Sequence, residues 1–356
     1  MPTTIPLTRT THPKAKPRDE ELSFGKFFTD HMFLRDATAD QGWHNPRVVP
    51  YGPLSLDPSA AVLHYSQEIF EGLKACRSPR DTILLFRPDK NAARLNRSAA
   101  RMCMPAVDET MFLDAIKTVV ATDRDWVPRA PGTSLYIRPA MIATEPFLGV
   151  RPAQSYSFFI ILCPVGAYYA EGFNPVKILV EDHYVRAVKG GTGDAKTGGN
   201  YASSLASAEE AHHKGYSQVL WLDGVERKYI EEVGSMNIAF VIDNEFVTPA
   251  LSGSILDGVT RDTTKQLAKD WGIRVVERPI TVDEVFAASR TGRLQEAFGM
   301  GTAAVISPVS ELAYKGEKLT ISNGQVGPLA QRLFNEISDI QRGLKPDPHG
   351  WVVEIH

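Results

Sequence analysis

The sequence predicts a mixed α/β fold, α+β in character, arranged as two domains. Three observations predict it. At 356 residues the chain exceeds one ordinary hydrophobic core and suits two domains. Helical and strand periodicities are interleaved without the strict alternation of a doubly wound sheet. Turn signals such as Asp223-Gly224 and Asp243-Asn244 close successive hairpins, so much of the sheet is antiparallel or mixed.

In chain order, the first eighteen residues hold basic groups, threonines and prolines but no acid. The prolines spoil an amphipathic targeting helix, so residues 1–20 are expected to form a disordered tail. A small N-terminal domain is expected over 21–163, with strands at 82–86, 134–138 and 155–161. Helical spacing over 89–101 and 108–123 opens on Asp89 and Asp108, both suitable caps. The longest apolar run, 158–165, falls far short of the ~20 residues of a membrane span. It reads as a buried strand that Pro164 terminates.

Residues 164–176 are bounded by prolines and read as an interdomain loop. A larger C-terminal domain follows over 177–356. It opens with a strand at 177–180 and a glycine loop, then a helix over 201–214 that Asn200 caps and Gly215 ends. Strands at 218–222, 237–242 and 246–248 precede a helix that starts near Val259 and runs to about Trp271.

Composition excludes several function classes. Hydrophobic residues are 43% and charged residues 23%, and the net charge of −3 gives no basis for nucleic-acid or acidic-membrane binding. Cys76, Cys103 and Cys163 form neither a disulfide framework nor a metal pair, which suits a reducing, cytoplasmic setting. The histidines lack metal spacing, and no Gly-x-Ser-x-Gly motif marks a serine hydrolase.

The chemistry concentrates at Gly190-Gly-Thr-Gly-Asp-Ala-Lys196-Thr-Gly-Gly-Asn-Tyr201. One lysine among five glycines suits either gripping a phosphate or attacking a carbonyl to form a Schiff base. The segment nearly spells a P-loop, but Ala195 replaces its second glycine, and Gly198-Gly199 are expected to break the helix that motif needs. A plain structural turn is the third reading. Pyridoxal phosphate chemistry needs a carboxylate for the pyridine nitrogen and an anion site for the phosphate. Glu231-Glu232-Val-Gly234 offers either that carboxylate, with Gly234 letting backbone approach the cofactor, or a pair of solvated acids ending a hairpin. The helix start at Val259-Thr260 supplies the anion site. The small residues of Gly299-Met-Gly-Thr302-Ala303 suit either close ligand approach or a tight strand entry.

Six ordered motifs then converge: 63–74 (Leu-His-Tyr-Ser-Gln-Glu-Ile-Phe-Glu-Gly-Leu-Lys), 85–88, 132–139 (Gly-Thr-Ser-Leu-Tyr-Ile-Arg-Pro), 196–201, 232–237 and 298–302. On these the chain resembles the branched-chain amino-acid aminotransferases, pyridoxal phosphate enzymes of fold type IV, over nearly its whole length. The resemblance implies two domains with the cofactor at their boundary, and a homodimer. It implies that Lys196 carries pyridoxal 5'-phosphate as the internal aldimine and moves the substrate proton. It further implies that Glu232 pairs with the pyridine nitrogen and Tyr201 with the phenolic oxygen. Arg94, Thr302 and the amides of Val259 and Thr260 are implied to hold the phosphate. Tyr65, Phe70, Tyr136 and Arg138 are implied around the substrate side chain, and Ser235 and Ala303 at the α-carboxylate. Leu148 and Val150 match a loop that reaches the neighbouring subunit's site. The implied substrates are Leu, Ile or Val and 2-oxoglutarate, exchanged by a ping-pong route. Ala304 and Ser307 stand where some members carry a redox CxxC, which excludes thiol control there.

Overall fold

The computed structural model describes residues 5–166 and 173–355. The chain first forms β1 (His31–Thr38), β2 (Gly42–Pro50), α1 (Ala61–Tyr65), β3 (Glu68–Phe70), β4 (Leu73–Arg77) and β5 (Ile83–Phe86). Next come α2 (Pro88–Arg101), α3 (Glu109–Thr122), β6 (Ser134–Ala143) and β7 (Ser155–Val165). After the interdomain stretch come β8 (Val176–Glu181), α4 (Gly198–Ala202), α5 (Leu205–His213), β9 (Gln218–Leu222), β10 (Ile230–Val233), β11 (Met236–Ile242) and β12 (Glu245–Pro249). The remainder is α6 (Val259–Asp270), β13 (Val275–Arg278), α7 (Val282–Arg290), β14 (Leu294–Gly301), β15 (Val305–Tyr314), β16 (Glu317–Thr320), α8 (Pro328–Gln341) and β17 (Val352–Ile355).

These elements gather into two compact units. The first holds residues 5–166, Ala195–Gly198 and 339–355; the second holds 173–194 and 199–338. The first unit is an eight-stranded sheet in the order β17-β5-β4-β6-β7-β1-β2, with β3 also on β6, and its pairs are antiparallel. Leu95 of α2 and Phe112, Ile116 and Val119 of α3 pack with Phe33, Leu85, Leu135 and Phe158 of the sheet in one core. Their i, i+3, i+4 spacing gives α3 an apolar stripe along one side. Its start is set by Asp108, whose carboxylate accepts the Met111 N–H at 2.8 Å.

Several expectations are corrected here. Residues 6–14 are docked, not a loose tail. Val48 N donates to Pro6 O at 2.8 Å, Thr8 N to Val48 O at 2.9 Å and Lys14 Nζ to Thr29 O at 2.7 Å. Backbone hydrogen bonds along β2 hold the segment, so its low apolar content misleads. Asp89 does not cap α2. Arg87, in the left-handed region at φ 51°, precedes Pro88 at the first helical position. Pro164 does not end β7 but pairs with Leu135 inside it. Pairing with β1 stops at Ile160, so Pro164 lies where β7 has one strand neighbour and can lack an N–H. Of the expected loop 164–176, residues 167–172 lie outside the described residues.

The second unit is a nine-stranded sheet ordered β10-β9-β8-β15-β14-β11-β12-β13, with β16 on β15. Because β10 also pairs with β11, the strands β10, β9, β8, β15, β14 and β11 close on themselves. Parallel pairs β8–β9, β8–β15 and β12–β13 mix with antiparallel ones. Asp243 and Asn244, both at positive φ, make the expected two-residue turn between Ile242 and Glu245. Asp223 does not. Its carboxylate gathers the N–H groups of Val225, Glu226, Lys228 and Tyr229 in a longer loop before β10. The expected helix over 201–214 is two pieces, α4 and α5. Asn200 bonds Thr192 at 2.7 and 2.8 Å instead of capping, and α4 begins at the glycines expected to prevent a helix.

Candidate active site

In the first unit the strand path brings one cationic group together. Lys196 is pinned through its backbone: its N–H donates to Ser98 Oγ at 2.9 Å and its carbonyl accepts Phe70 N–H at 3.0 Å. The ammonium then lies 4.8 Å from the centre of the Phe70 ring. Arg138, on β6 opposite the β3–β4 stretch, lies 4.6 Å from the same ring and donates to Tyr136 Oη at 3.0 Å. Its Nε is buried and has no hydrogen-bond partner among the described residues. Phe70, Tyr136, Arg138 and Lys196 are thus neighbours in the first unit.

Two acids that sequence reasoning left without a role, the half-buried Glu68 and the buried Glu71, join this group. Glu68 accepts the Gly198 N–H, and burial pushes its carboxyl up against the pull of that bond, Arg138 and Lys196. Glu71 is fully buried and takes Arg94 in a bidentate pair, Nε to Oε1 at 2.7 Å and Nη2 to Oε2 at 2.8 Å. Burial acts to raise its carboxyl, but the Arg94 charge and bonds, with Lys196 and Asn91, hold it below the usual carboxylate range. Arg94, expected simply as a phosphate ligand, is therefore already committed to an acid.

In the second unit Glu232 sits on β10, only 3% exposed rather than solvated. Its Oε1 accepts Asn237 Nδ2 at 3.1 Å and Leu256 N–H at 3.0 Å, and its Oε2 meets Arg186 at 2.8 Å. Three donors stabilise the charged carboxylate and fix its plane. Glu231 beside it bonds Ser254 Oγ and is pushed up chiefly by burial. The α6 start has Gly258 as its cap, so the amides of Val259 and Thr260 receive no cap from its side chain. A Cβ on Gly258 would lie 1.9 Å from Asn237 Oδ1. Tyr201 lies on α4, Ser235 is exposed in the turn after β10, and Thr302 and Ala303 form the turn between β14 and β15.

The glycines serve protein contacts more than open space. A Cβ on Gly193 would strike Ser254 O at 2.2 Å, and one on Gly198 would strike Glu68 Oε1. Gly234 needs φ +55° and faces Gln218, while Gly299 and Gly301 are packed by Met236. The expected approach of Gly234 to a cofactor is replaced, on this face, by close packing, and of the two readings open for 299–301 these faces show packing against Met236.

The class IV amino-transferase family model matches residues 68–312. The chain is 58% identical to branched-chain-amino-acid aminotransferase 2 of Bacillus subtilis, over 99% of this chain and 97% of that one. It is 54% identical to branched-chain-amino-acid transaminase 1 of the same organism, over 99% of each. The chain is a class IV aminotransferase. Its fold matches the branched-chain amino acid aminotransferase of Escherichia coli with TM-score 0.77 at 27% identity, covering 92% of this chain and 99% of that one. A branched-chain amino acid aminotransferase of T.th. complexed with N-(5'-phosphopyridoxyl)-L-glutamate matches with TM-score 0.76, also at 27% identity, over 91% and 98%.

The donor set of this aminotransferase fits pyridoxal phosphate, its family's cofactor. One unit offers the Lys196 amine; the other offers a buried carboxylate and a helix start without a side-chain cap. Tyr65, Leu148 and Val150 are exposed, at 41%, 64% and 90%. They belong to one surface, because Ala61 N bonds Glu145 O and Phe147 N bonds Ser59 O. Leu63 and Phe147 are exposed there too. Arg186 and Asn237 were missed as partners of Glu232, and only their polarity beside apolar neighbours hints at a role.

Proposed function

We propose that this aminotransferase exchanges the amino group of leucine, isoleucine or valine with 2-oxoglutarate by a ping-pong route on pyridoxal 5'-phosphate. The observation that carries it is the Phe70–Tyr136–Arg138 wall beside Lys196. Aromatic faces take a branched aliphatic side chain by apolar burial, while the unpartnered Arg138 Nε offers a charge-assisted bond to the distal carboxylate of glutamate. One wall serves both half-reactions because the two demands fall on different atoms.

When bound, the cofactor supplies an electron sink for the charge developing at the substrate Cα. Lys196 Nζ would hold it covalently until the substrate amine displaces it, and the freed lysine amine would then take the proton from that Cα. Glu232 accepts the N–H of the pyridine nitrogen, and Tyr201 donates to the phenolic oxygen. Arg94, the Thr302 hydroxyl and the Val259 and Thr260 amides bind the phosphate. Ser235 and Ala303 bind the substrate α-carboxylate. Tyr65 lines the side-chain pocket with Phe70, Tyr136 and Arg138, and Leu148 and Val150, with their exposed apolar neighbours, face the site of a second subunit in a cytoplasmic homodimer. Among the described residues no helix is long and apolar enough to cross a membrane.

Borohydride treatment of the holoenzyme followed by peptide mass mapping tests the core of this reading. The expected adduct lies on Lys196, and Lys196→Ala loses both the adduct and leucine transamination. An adduct on another lysine, or an active Lys196→Ala enzyme, would overturn it. Cofactor retained with no transamination in the unaltered protein would favour a catalytically silent binder.

A further inference from the structure

The Glu71–Arg94 pair is a deeply buried ion pair beside Lys196, with side-chain exposures of 0% and 5%. Its geometry follows from the sheet. Glu71 and Gly72 interrupt the strand path between β3 and β4, and Glu71 N–H donates to the carbonyl of Pro139 at 2.8 Å. Pro139 has no N–H to return, so the ladder breaks here. The Glu71 carboxylate meets α2, where Asn91 and Arg94 lie one turn apart on the same face. It accepts Arg94 Nε at 2.7 Å, Arg94 Nη2 at 2.8 Å, Asn91 Nδ2 at 2.8 Å and the Gly72 N–H at 3.1 Å.

A buried ion pair is a poor way to gain stability, because desolvation offsets most of the attraction and an apolar pair of equal volume serves as well. A two-pronged bond to a guanidinium does something an apolar pair does not: it fixes the plane of the fork and so the direction of the remaining N–H groups. We propose that Glu71 is a positioning residue that sets the Arg94 guanidinium for the cofactor's phosphate, keeping it aimed whether or not phosphate is bound. This rests on the assignment of Arg94 as a phosphate ligand. Preorganising the donor removes the cost of ordering a long side chain at binding.

The test compares two ligands of the full-length apoenzyme by equilibrium dialysis, pyridoxal 5'-phosphate and pyridoxal, which differ only in the phosphate. Any effect of Glu71 through Lys196 or through general loosening falls on both ligands. An effect through Arg94 falls on the phosphate form alone. Glu71→Gln is expected to weaken pyridoxal phosphate about tenfold while leaving pyridoxal nearly unchanged. In an Arg94→Gln background it should add no further loss. If Arg94→Gln lowers the ratio of the two affinities and Glu71→Gln does not, the proposal falls and the phosphate role of Arg94 stands. If Arg94→Gln leaves the ratio unchanged, both fall. Should Glu71→Gln fail to fold, Glu71→Asp keeps the charge but withdraws it by one methylene, and the same drop in ratio is expected. An unchanged ratio in a folded Glu71→Asp protein would equally refute the proposal.

Discussion

Lys74 and Arg138 lie near each other in the first sheet, where Lys74 pairs with Tyr136, and they carry opposite lessons about charge. Burial drives the Lys74 amine down from 10.5 to about 8, with the Cys76 thiol acting against the fall and Arg342 adding to it. The fold therefore prefers the neutral amine. As pH drops from 10.5 toward 8 the unfolded chain takes a proton the folded chain refuses, so stability falls over that window and is level below it. Lys74→Met should raise Tm at pH 7, by at most about 3 kcal/mol in stability, with the gain fading toward pH 10.5. Melting curves across that range check it; a gain independent of pH would refute the cause. Arg138→Ala should instead raise KM for glutamate about tenfold or more and leave leucine less affected, since only glutamate brings a distal carboxylate. Equal losses for the two substrates would sink the assignment. At this scale Lys196 and Glu232 stood out in the sequence as candidates, because their chemistry is tied to residue type, while Phe70, Tyr136 and Arg138 were implied only by the resemblance in contiguous motifs. Glu71 was printed inside one of those motifs yet silent, since its partner Arg94 lies 23 residues on and is recognised only through the sheet. Arg186 was silent for the same reason.

Secondary structure elements show where local rules sufficed. Asp108 caps α3 and Asp243-Asn244 turn β11 into β12, because both signals act within four residues. The glycines of β14 misled, since an absent Cβ marks a close approach without saying by what. A Cβ on Gly301 would stand 2.7 Å from Met236 Cγ. If packing is the reason for that glycine, Gly301→Ala should cost about 1–3 kcal/mol and lower the Tm of the apoenzyme. If cofactor contact is the reason, apoenzyme Tm should hold and only cofactor affinity should fall. Differential scanning calorimetry of the apoenzyme separates the two. The hairpin β10–β11 meanwhile binds two needs in one turn. Gly234 at positive φ sets the reversal, and the register Glu232↔Asn237 puts the carboxylate beside the amide that orients it.

At the scale of the whole molecule, the sequence did not show that Ala195–Gly198 and 339–355 return to the first unit. Such returns depend on pairing across long stretches of chain, which no local window contains. The homodimer is tested by Leu148→Asp/Val150→Asp. Both side chains are exposed in the single chain, so the fold should survive while sedimentation shows monomer and leucine transamination drops. A dimer with full activity would exclude this surface. The strand β17 has a different consequence, for how the protein is made. It pairs with β5 from Val352↔Phe86 to Ile355↔Ile83, closing an edge of the first sheet. A ribosome finishes β5 long before it reaches β17, and at ordinary elongation rates the gap is on the order of tens of seconds. Through that interval the backbone N–H and C=O groups of Ile83–Phe86 lack their native cover, in a strand made of four buried apolar residues. The first unit is thus begun first and completed last, and its open edge in the nascent chain is where chaperones would be needed most.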